Sequence, residues 1–237
     1  ASKDAQEFSR AIRAHQDGRI YRNVNVRLLT NQEATRASIV DGFQWLVDSV
    51  KPKDSVVIFF SGPAFVDSTD NFYLATHDVD VERPRATAVS WREFTGMLHE
   101  DLPECKRLVF LDAHPTAGGI RPGMRNPLLD LAAPELGTTF FASNTLQQTT
   151  PGTGSGAFVQ AILQTLKDQA ADSMPTHGDR LFSPVELAKS IRYRVQRSTR
   201  GKQLPTHFAA ATQRNRNLFE LLTVSDSGSE WRILRHT

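Results

Sequence analysis

Two uninterrupted apolar runs of strand length organise the pattern of hydrophobic and polar positions along this chain. The first covers residues 56–60 and the second residues 108–111, and polar, Gly or Pro residues soon follow each run. Such short runs are typical of strands that are buried on both faces of a parallel sheet. Because ligands and chemistry gather at the carboxyl ends of such strands, we expect the functional residues within 61–64 and 112–117.

Periodic patterns elsewhere predict the remaining elements. Apolar residues at helical spacing predict helices over residues 2 to about 16 and over residues 157–166. A third helix should begin after an N-cap at Thr35 and end at residue 50. Two more should follow capping boxes, one at Ser90 and Glu93 that begins a helix to about residue 100, and one at Ser183 and Glu186. Strand patterns occupy residues 24–28 and 138–142, and loops are predicted over residues 120–135 and 167–180. In the first helix we place Phe8 inward and Asp4 on a polar face.

The alternation of predicted strands and helices defines the fold class. Strands that alternate with helices along a chain are typical of α/β domains, whose sheets are mainly parallel. We therefore expect a twisted, mainly parallel sheet with helices on both faces.

Five segments, taken in order, resemble the motifs of one peptidase family. The segments read VVIFFSGPA at residues 56–64, NFYLATHDVD at 71–80, LVFLDAHPTAGG at 108–119, GSGAFVQAIL at 154–163 and QLPT at 203–206. They resemble the caspase-like cysteine peptidases, and the bacterial metacaspase or orthocaspase branch in particular. The resemblance covers roughly residues 3–208 and implies a caspase-like domain over residues 1–208.

The two ends of the chain depart from the resemblance. The first strand of the family, which precedes the first helix, has no counterpart here. Residues 209–237 form a C-terminal extension with two apolar runs, at residues 217–222 and 230–234. We expect this extension either to supply an extra strand or to be a linker to another module.

Both catalytic positions are substituted in the matching motifs. In the family the first motif ends Ser-Gly-His-Gly and the second reads Asp-x-Cys-His-Ser-Gly, with the His as general base and the Cys as nucleophile. Here Pro63 stands at the His position and His114 at the Cys position. The resemblance therefore predicts a catalytically degenerate fold, a pseudo-caspase. Its site retains only remnants: Ser61, Gly62, Asp112 and Thr116.

A rearranged site is the alternative enzyme reading. His114 would be the base, Ser61 or Thr116 the nucleophile, and Asp112 the group that orients the base, on the logic of a serine triad. We favour the simpler interpretation, in which His114 fills the space of the missing thiol loop. A metal site formed by His114, Asp112 and His77 is disfavoured, because no closely spaced ligand set appears in the sequence.

The residues that the resemblance implies in substrate recognition also indicate a degenerate site. By resemblance, a pocket for a basic side chain would use Asp112 together with acidic residues after the 138–142 strand. Leu146 and Gln147 occupy those acidic positions here, and a single carboxylate is a poor clamp for Arg or Lys. The glycine run at residues 152–156 lacks the Gly-Lys-Ser/Thr ending of a P-loop, so we expect neither a bound nucleotide nor another cofactor.

Composition excludes several classes of partner. The formal charge of +2 is too small to imply a nucleic-acid partner, and no apolar run approaches the ~18 residues that cross a bilayer. The arginines between residues 192 and 200 read as a solvated helix face, with partner binding as the alternative. The single cysteine, Cys105, precedes its strand, so we interpret it as a structural or surface thiol in a reducing compartment.

These observations lead to one functional expectation. We expect an inactive caspase-like domain of a cytoplasmic, bacterial protein, cut from a longer chain because no initiating Met is present. It would act in protein interaction, scaffolding or regulation, with a protein partner or with other modules of its own chain. The resemblance also implies a homodimer formed through the edge of the sheet.

Overall fold

The computed structural model describes residues 1–14, 16, 21–52, 54–102, 104–115, 138–143, 155–171 and 184–208. Its helices are α1 (Ser2–Arg13), α2 (Arg36–Ser49), α3 (Pro84–Thr87), α4 (Trp91–Gly96), α5 (Ser155–Ala171) and α6 (Pro184–Ser198). Its strands are β1 (Ser55–Val66), β2 (Phe72–Leu74), β3 (Val89–Ser90), β4 (Lys106–Pro115), β5 (Thr138–Ala142) and β6 (Thr206–Phe208). A 3-10 turn spans Asn31–Glu33, and a π-helical turn, Met97–Asp101, continues α4.

The six strands form one mixed sheet in the order β3-β2-β1-β4-β5-β6. The three central strands, β1, β4 and β5, run parallel, and β1 pairs with β4 from Ser55↔Lys106 to Ala64↔Pro115. Antiparallel strands complete both sides, β2 and β3 beside β1 and β6 beside β5. The predicted mainly parallel sheet is therefore confirmed for its centre.

Helices cover both faces of this sheet, as predicted. Alternate residues of a strand point to opposite faces, so β4 sends Leu108 and Phe110 to one side and Val109 and Leu111 to the other. The first pair lies in an apolar cluster with residues of α1, α5 and α6, and the second pair lies in a cluster with residues of α2 and α4. The two clusters form the core of an α/β domain.

The two central strands extend further than the sequence pattern predicts. We expected Ser61 and Asp112 to open loops, but β1 continues to Val66 and β4 to Pro115. Pairing overrides the Gly and Pro signals, because the β1–β4 ladder runs on to Ala64 and β2 then pairs with Ala64, Phe65 and Val66. The predicted site therefore lies on paired strands.

The predicted strand at residues 24–28 is wrong. These residues are extended and their exposure partly alternates, but the six-stranded sheet does not include them. Side-chain hydrogen bonds hold this segment against two helices instead. Arg13 Nη2 of α1 donates to the carbonyl oxygen of Val26 at 3.0 Å, and Arg27 Nη1 of the segment donates to the carbonyl oxygen of Asp41 in α2 at 3.0 Å. An alternating pattern of apolar and polar residues does not by itself make a segment pair with a strand of the sheet.

The predicted helix boundaries hold in most places. Thr35 caps α2 by accepting from the backbone N–H of Ser38, and Ser90 caps α4 by accepting from that of Glu93. Glu93 does not form the reciprocal half of the Ser90–Glu93 capping box, because its carboxylate pairs with Arg36 of α2. The predicted loop at residues 167–180 is wrong at its start, because α5 continues to Ala171.

Several expectations fall on residues outside those described. These are Thr116, the loop at residues 120–135, Leu146 and Gln147, most of the glycine run, Ser183, and the extension at residues 209–237. No described helix combines the length and the apolar character that crossing a membrane would require.

Phe43 is the most deeply buried contact between helix α2 and the core. Phe43 is the only buried residue of α2 and packs edge-on against Phe94 of α4, with 5.6 Å between ring centroids. We expect Phe43→Ala to lower the free energy of unfolding by about 3 kcal/mol. The half-buried Leu46 of the same helix is the matched control, and Leu46→Ala should cost clearly less. Urea denaturation measures both, and equal losses would contradict this anchoring role.

Candidate functional site

Three polar side chains lie side by side near the carboxyl ends of the parallel strands. Ser61 of β1 pairs with Asp112 of β4, and Ser143, directly after β5, donates its backbone N–H to the carbonyl oxygen of Leu111 at 2.9 Å. Paired residues of parallel strands project to the same face, here the face covered by α1 and α5. We call Ser61, Asp112 and Ser143 the polar row.

Asp112 is the buried centre of the polar row. It is fully inaccessible to solvent, and neither carboxylate oxygen has a hydrogen-bond partner among the described residues. Burial raises the pKa of Asp112 from 3.8 to about 6, while nearby Ser143 and His114 oppose this shift and the charge of Asp4 adds to it. The Ser143 hydroxyl lies close enough to lower the pKa of the carboxyl by hydrogen bonding, although the contact falls outside ordinary hydrogen-bond geometry.

The hydroxyl groups of the polar row are also buried without partners. Ser61 Oγ and Ser143 Oγ make no hydrogen bond within the described part of the chain. Buried polar atoms in native proteins almost always have partners, so a group of them without any is unusual. The row is therefore able to accept donors or a positive charge, and Asp112 is able to donate once it is protonated.

The two substituted catalytic positions face each other across β1 and β4. Pro63 pairs with His114, two residues beyond the polar row. His114 Nε2 lies 3.6 Å from Asp112 Oδ1, which is an ion-pair distance when the imidazole is protonated but too long for a hydrogen bond. Pro63 is exposed and its ring has no group that accepts a proton. Gly62, which lies between Ser61 and Pro63 on β1, is buried, and a Cβ there would lie 3.2 Å from the Phe60 ring.

The structure assembles only part of the alternative hydrolase site. Asp112 and His114 are close, as that alternative requires, but Ser61 Oγ makes no hydrogen bond to His114. A general base must reach the proton that it takes, directly or through one water molecule. Thr116, the other candidate nucleophile, lies outside the described residues.

The one thiol of the chain lies at the wrong end of the sheet. Cys105 directly precedes Lys106, the first residue of β4, whereas Asp112 and His114 lie near the last. Its thiol is half-buried, and burial raises its pKa, which favours the unreactive protonated form. Cys105 therefore has neither the position nor the ionisation of a nucleophile at this site.

The candidate metal ligands do not come together. Among the described residues no three His, Cys, Asp or Glu side chains form a group that could hold a metal ion. Asp112 and His114 are neighbours, while His77 lies in a turn where its backbone N–H donates to the carbonyl oxygen of Ala34.

Sequence reasoning missed two residues near the polar row. Asp4 is only 6% exposed, so its placement on a polar face of α1 is wrong. Its spacing of four residues from the buried Phe8 was the available signal, since positions i and i+4 share a helix face. Ser143 was recognisable only as the first residue after a predicted strand.

Comparison with known proteins identifies the fold. The family model described as Caspase domain matches residues 1–216. A crystal structure of a protein from Geobacter sulfurreducens superimposes with a TM-score of 0.59 and 15% sequence identity, over 94% of this chain and 89% of that chain. At this identity the likeness shows the fold alone. No curated protein matches the chain.

The raised pKa of Asp112 predicts a pH-dependent effect of its removal. Because the folded pKa of about 6 exceeds the ordinary 3.8, the contribution of Asp112 to the free energy of unfolding is full below pH 3.8 and is lost as the pH rises through 6. We therefore expect the free energy of unfolding of Asp112→Asn, relative to that of the wild type, to increase by up to about 3 kcal/mol between pH 4 and pH 7.5. Urea denaturation at several pH values measures this change.

An exposed aspartate provides the control for this experiment. Asp41 is exposed on α2, so Asp41→Asn is the matched aspartate-to-asparagine variant away from the site, measured at the same pH values. A difference between wild type and Asp112→Asn that stays constant from pH 4 to pH 7.5 would contradict preferential protonation of Asp112.

Proposed function

Because this chain belongs to the caspase-domain family, whose model matches residues 1–216, we propose that it is a catalytically inactive member of that family. In this proposal it is a pseudo-caspase that works as a protein-interaction, scaffolding or regulatory module. It acts in the bacterial cytoplasm, beside other modules of a longer chain or with a separate protein partner.

The single observation that carries the proposal is the position of the only thiol. Cysteine peptidase chemistry needs a thiolate and a base within hydrogen-bond reach of each other. The sequence contains one cysteine, Cys105, and it lies at the opposite end of β4 from the site. Six residues of β4 lie between Cys105 and Asp112, so seven steps of extended chain, about 23 Å, separate the two. No rotation of side chains moves this thiol to His114.

The substitution at the base position supports the same conclusion. Pro63 faces His114 directly in the β1–β4 ladder, so the two positions remain adjacent although neither carries the expected group. Moreover, β1 and β4 are paired through both positions, so the strands that carry the two positions keep a regular ladder, which supports a fold retained for recognition. A fold that is kept without its chemistry usually serves recognition, which is an argument by analogy.

The outer face of α6 is one candidate interaction surface. Tyr193 is 63% exposed, which is unusual for a large aromatic residue, and Lys189, Arg192 and Arg197 on the same helix are exposed. Aromatic and arginine side chains are enriched at protein interfaces. For a homodimer, the candidate contact surface is the outer edge of β6, the last strand in the sheet order.

One observation favours the rival function. The approach of His114 Nε2 to Asp112 Oδ1 is the geometry that orients a base, so a hydrolase with a hydroxyl nucleophile is the second candidate. It lacks a nucleophile hydrogen-bonded to His114 among the described residues, since Ser61 Oγ has no hydrogen-bond partner.

The proposal predicts an absence of peptidase activity. Peptides with basic or acidic residues before the scissile bond, and a denatured protein substrate, should be cleaved no faster by the wild type than by His114→Ala. Mass spectrometry of the products is the measurement. Cleavage that persists in Cys105→Ala but disappears in His114→Ala would overturn the proposal and establish the hydroxyl-based hydrolase.

The proposal also predicts retention of an intact partner. A pull-down from lysate of the host should recover a defined protein in full-length form, and the same protein should bind His114→Ala equally well. A Tyr193→Ala variant tests the α6 surface. If the recovered protein is bound by the wild type only as a cleaved fragment, the module is a peptidase and the interaction role fails.

A further inference from the structure

The outer side of α6 and the turn that follows it form a basic surface. From residue 187 to residue 208 the sequence contains no Asp or Glu, so no anion interrupts the series. Tyr193, 63% exposed, lies within this stretch. Five cations of the same stretch are also exposed: Lys189, Arg192, Arg197, Arg200 and Lys202. We call Tyr193 and these five cations the basic patch.

Helical geometry determines which residues of α6 form the basic patch. The residues that α6 buries in the core lie on its inner side: Leu187, Ile191 and Val195. Residues four apart share a helix face, so Lys189, Tyr193 and Arg197 form a line about 12 Å long on the outer side. Arg197 Nη1 donates to Tyr193 Oη at 3.4 Å, which brings this guanidinium beside the aromatic ring.

The fold itself gains little from the basic patch. None of its five cations forms an ion pair with any residue that the structure describes. The helix dipole favours a cation in the last turn, where Arg197 lies, but it gives Lys189 in the first half of α6 no such benefit. Lys189 and Arg192 are three residues apart, so their like charges repel.

The backbone at Arg200 indicates that its side chain is kept for a reason outside the fold. Arg200 has a φ of 54°, and Gly201 after it has a φ of 76°. This left-handed conformation suits glycine and strains a residue with a Cβ. Strained residues cluster at sites that bind ligands. A glycine at position 200 would close the helix more easily, but it would remove a guanidinium from the patch.

We propose that the basic patch binds an acidic segment of a partner protein, one that combines carboxylates with an apolar side chain. The guanidinium groups of Arg192, Arg197 and Arg200 match carboxylates through paired hydrogen bonds. Tyr193 offers a flat apolar ring with a polar tip, the kind of side chain that dominates binding at protein interfaces. The inference rests on the interaction role proposed above and names the chemistry of its partner.

The charge balance favours an acidic protein segment over a nucleic acid. The chain contains 28 Lys and Arg against 26 Asp and Glu, so without the five cations of the patch the anions outnumber the cations. An extended polyanion would continue past the patch along a protein whose remaining charge is negative. A short acidic segment ends within the patch and avoids this repulsion.

The small apolar area of the basic patch disfavours a membrane surface. Helices that lie on membranes bury several large apolar side chains among the lipids. Among the described residues of α6, Tyr193 is the only large apolar side chain that is exposed.

Fluorescence anisotropy with a labelled probe peptide tests the assignment on the full chain. The probe repeats the tripeptide Glu-Glu-Phe, and a second probe carries Gln in place of every Glu. The Glu probe should bind more tightly than the Gln probe, and added salt should weaken its binding. Arg192→Glu should weaken the binding at least about tenfold, because it sets a carboxylate against carboxylates.

Arg92 provides the matched control for this charge reversal. It is exposed on α4, outside the basic patch, and Arg92→Glu changes the net charge by the same amount. The affinity of Arg92→Glu for the Glu probe should stay within about twofold of the wild-type affinity. Equal losses in the two variants would show that net charge, rather than the patch, determines binding, and would overturn the assignment.

Arg200→Gly separates binding from stability. This variant should lose affinity for the Glu probe, while its midpoint of urea denaturation should equal or exceed that of the wild type, because the strain is relieved. Unchanged affinity together with a higher midpoint would show that Arg200 does not contact the partner. The patch would then end at Arg197, and the assignment of Arg200 to it would be wrong.

Other outcomes overturn the identity of the partner. Equal binding of the Glu and Gln probes would show that carboxylates are not recognised. Tighter binding of a single-stranded oligonucleotide, or of vesicles that contain phosphatidylserine, would identify a nucleic acid or a membrane as the partner instead.

Failure of this inference is distinguishable from failure of the proposed function. A partner recovered from host lysate that binds Arg192→Glu as tightly as the wild type would overturn the basic patch and leave the interaction role in place. Cleavage of the Glu probe, with an affinity that depends on Arg192, would support the basic patch and overturn the inactive module.

Discussion

The parallel pairing of β1 with β4 is the constraint on which the rest of this domain depends. Ten residue pairs hold the two strands together, and each pair fixes which side chains lie next to each other at the carboxyl end. The register sets Ser61 beside Asp112 and Pro63 beside His114, and it sends alternate apolar residues into two separate cores. A shift by one residue would exchange the two cores and dismantle the site together with them.

The strands that carry the site are regularly paired, but the site contains few groups that are able to catalyse a reaction. A carboxylate without hydrogen-bond partners is buried at its centre, an imidazole lies just beyond hydrogen-bond distance, and the thiol is at the far end of the strand. Burial of such a group costs stability when the group is charged. Domains commonly tolerate such a cost where a site has, or once had, a ligand or a reaction to serve.

Much of the architecture could be predicted from the sequence, because it follows from local patterns. The apolar run at residues 138–142 became β5 with the same limits, and the buried residues Leu187, Ile191 and Val195 of α6 follow from helical spacing. The predictions are wrong where pairing with another strand determines the structure. Residues 24–28 alternate without finding a strand to pair with, and β1 and β4 continue through Gly62 and Pro63 because each holds the other. The charge of Asp4 predicts a polar face, but its spacing of four residues from the buried Phe8 places it on the inward face of α1. The burial of Asp112 was beyond prediction, since it depends on how α1 covers the strands.

The position of Cys105 has a consequence for chemical biology. Covalent probes for caspase-type enzymes carry electrophiles that capture a reactive thiolate in the substrate cleft. This chain offers no thiol there, and its single sulfhydryl group is half-buried and held protonated by its surroundings. Activity-based profiling of a proteome would pass over this protein, so a census of caspase-like domains made by such labelling would omit members of this kind.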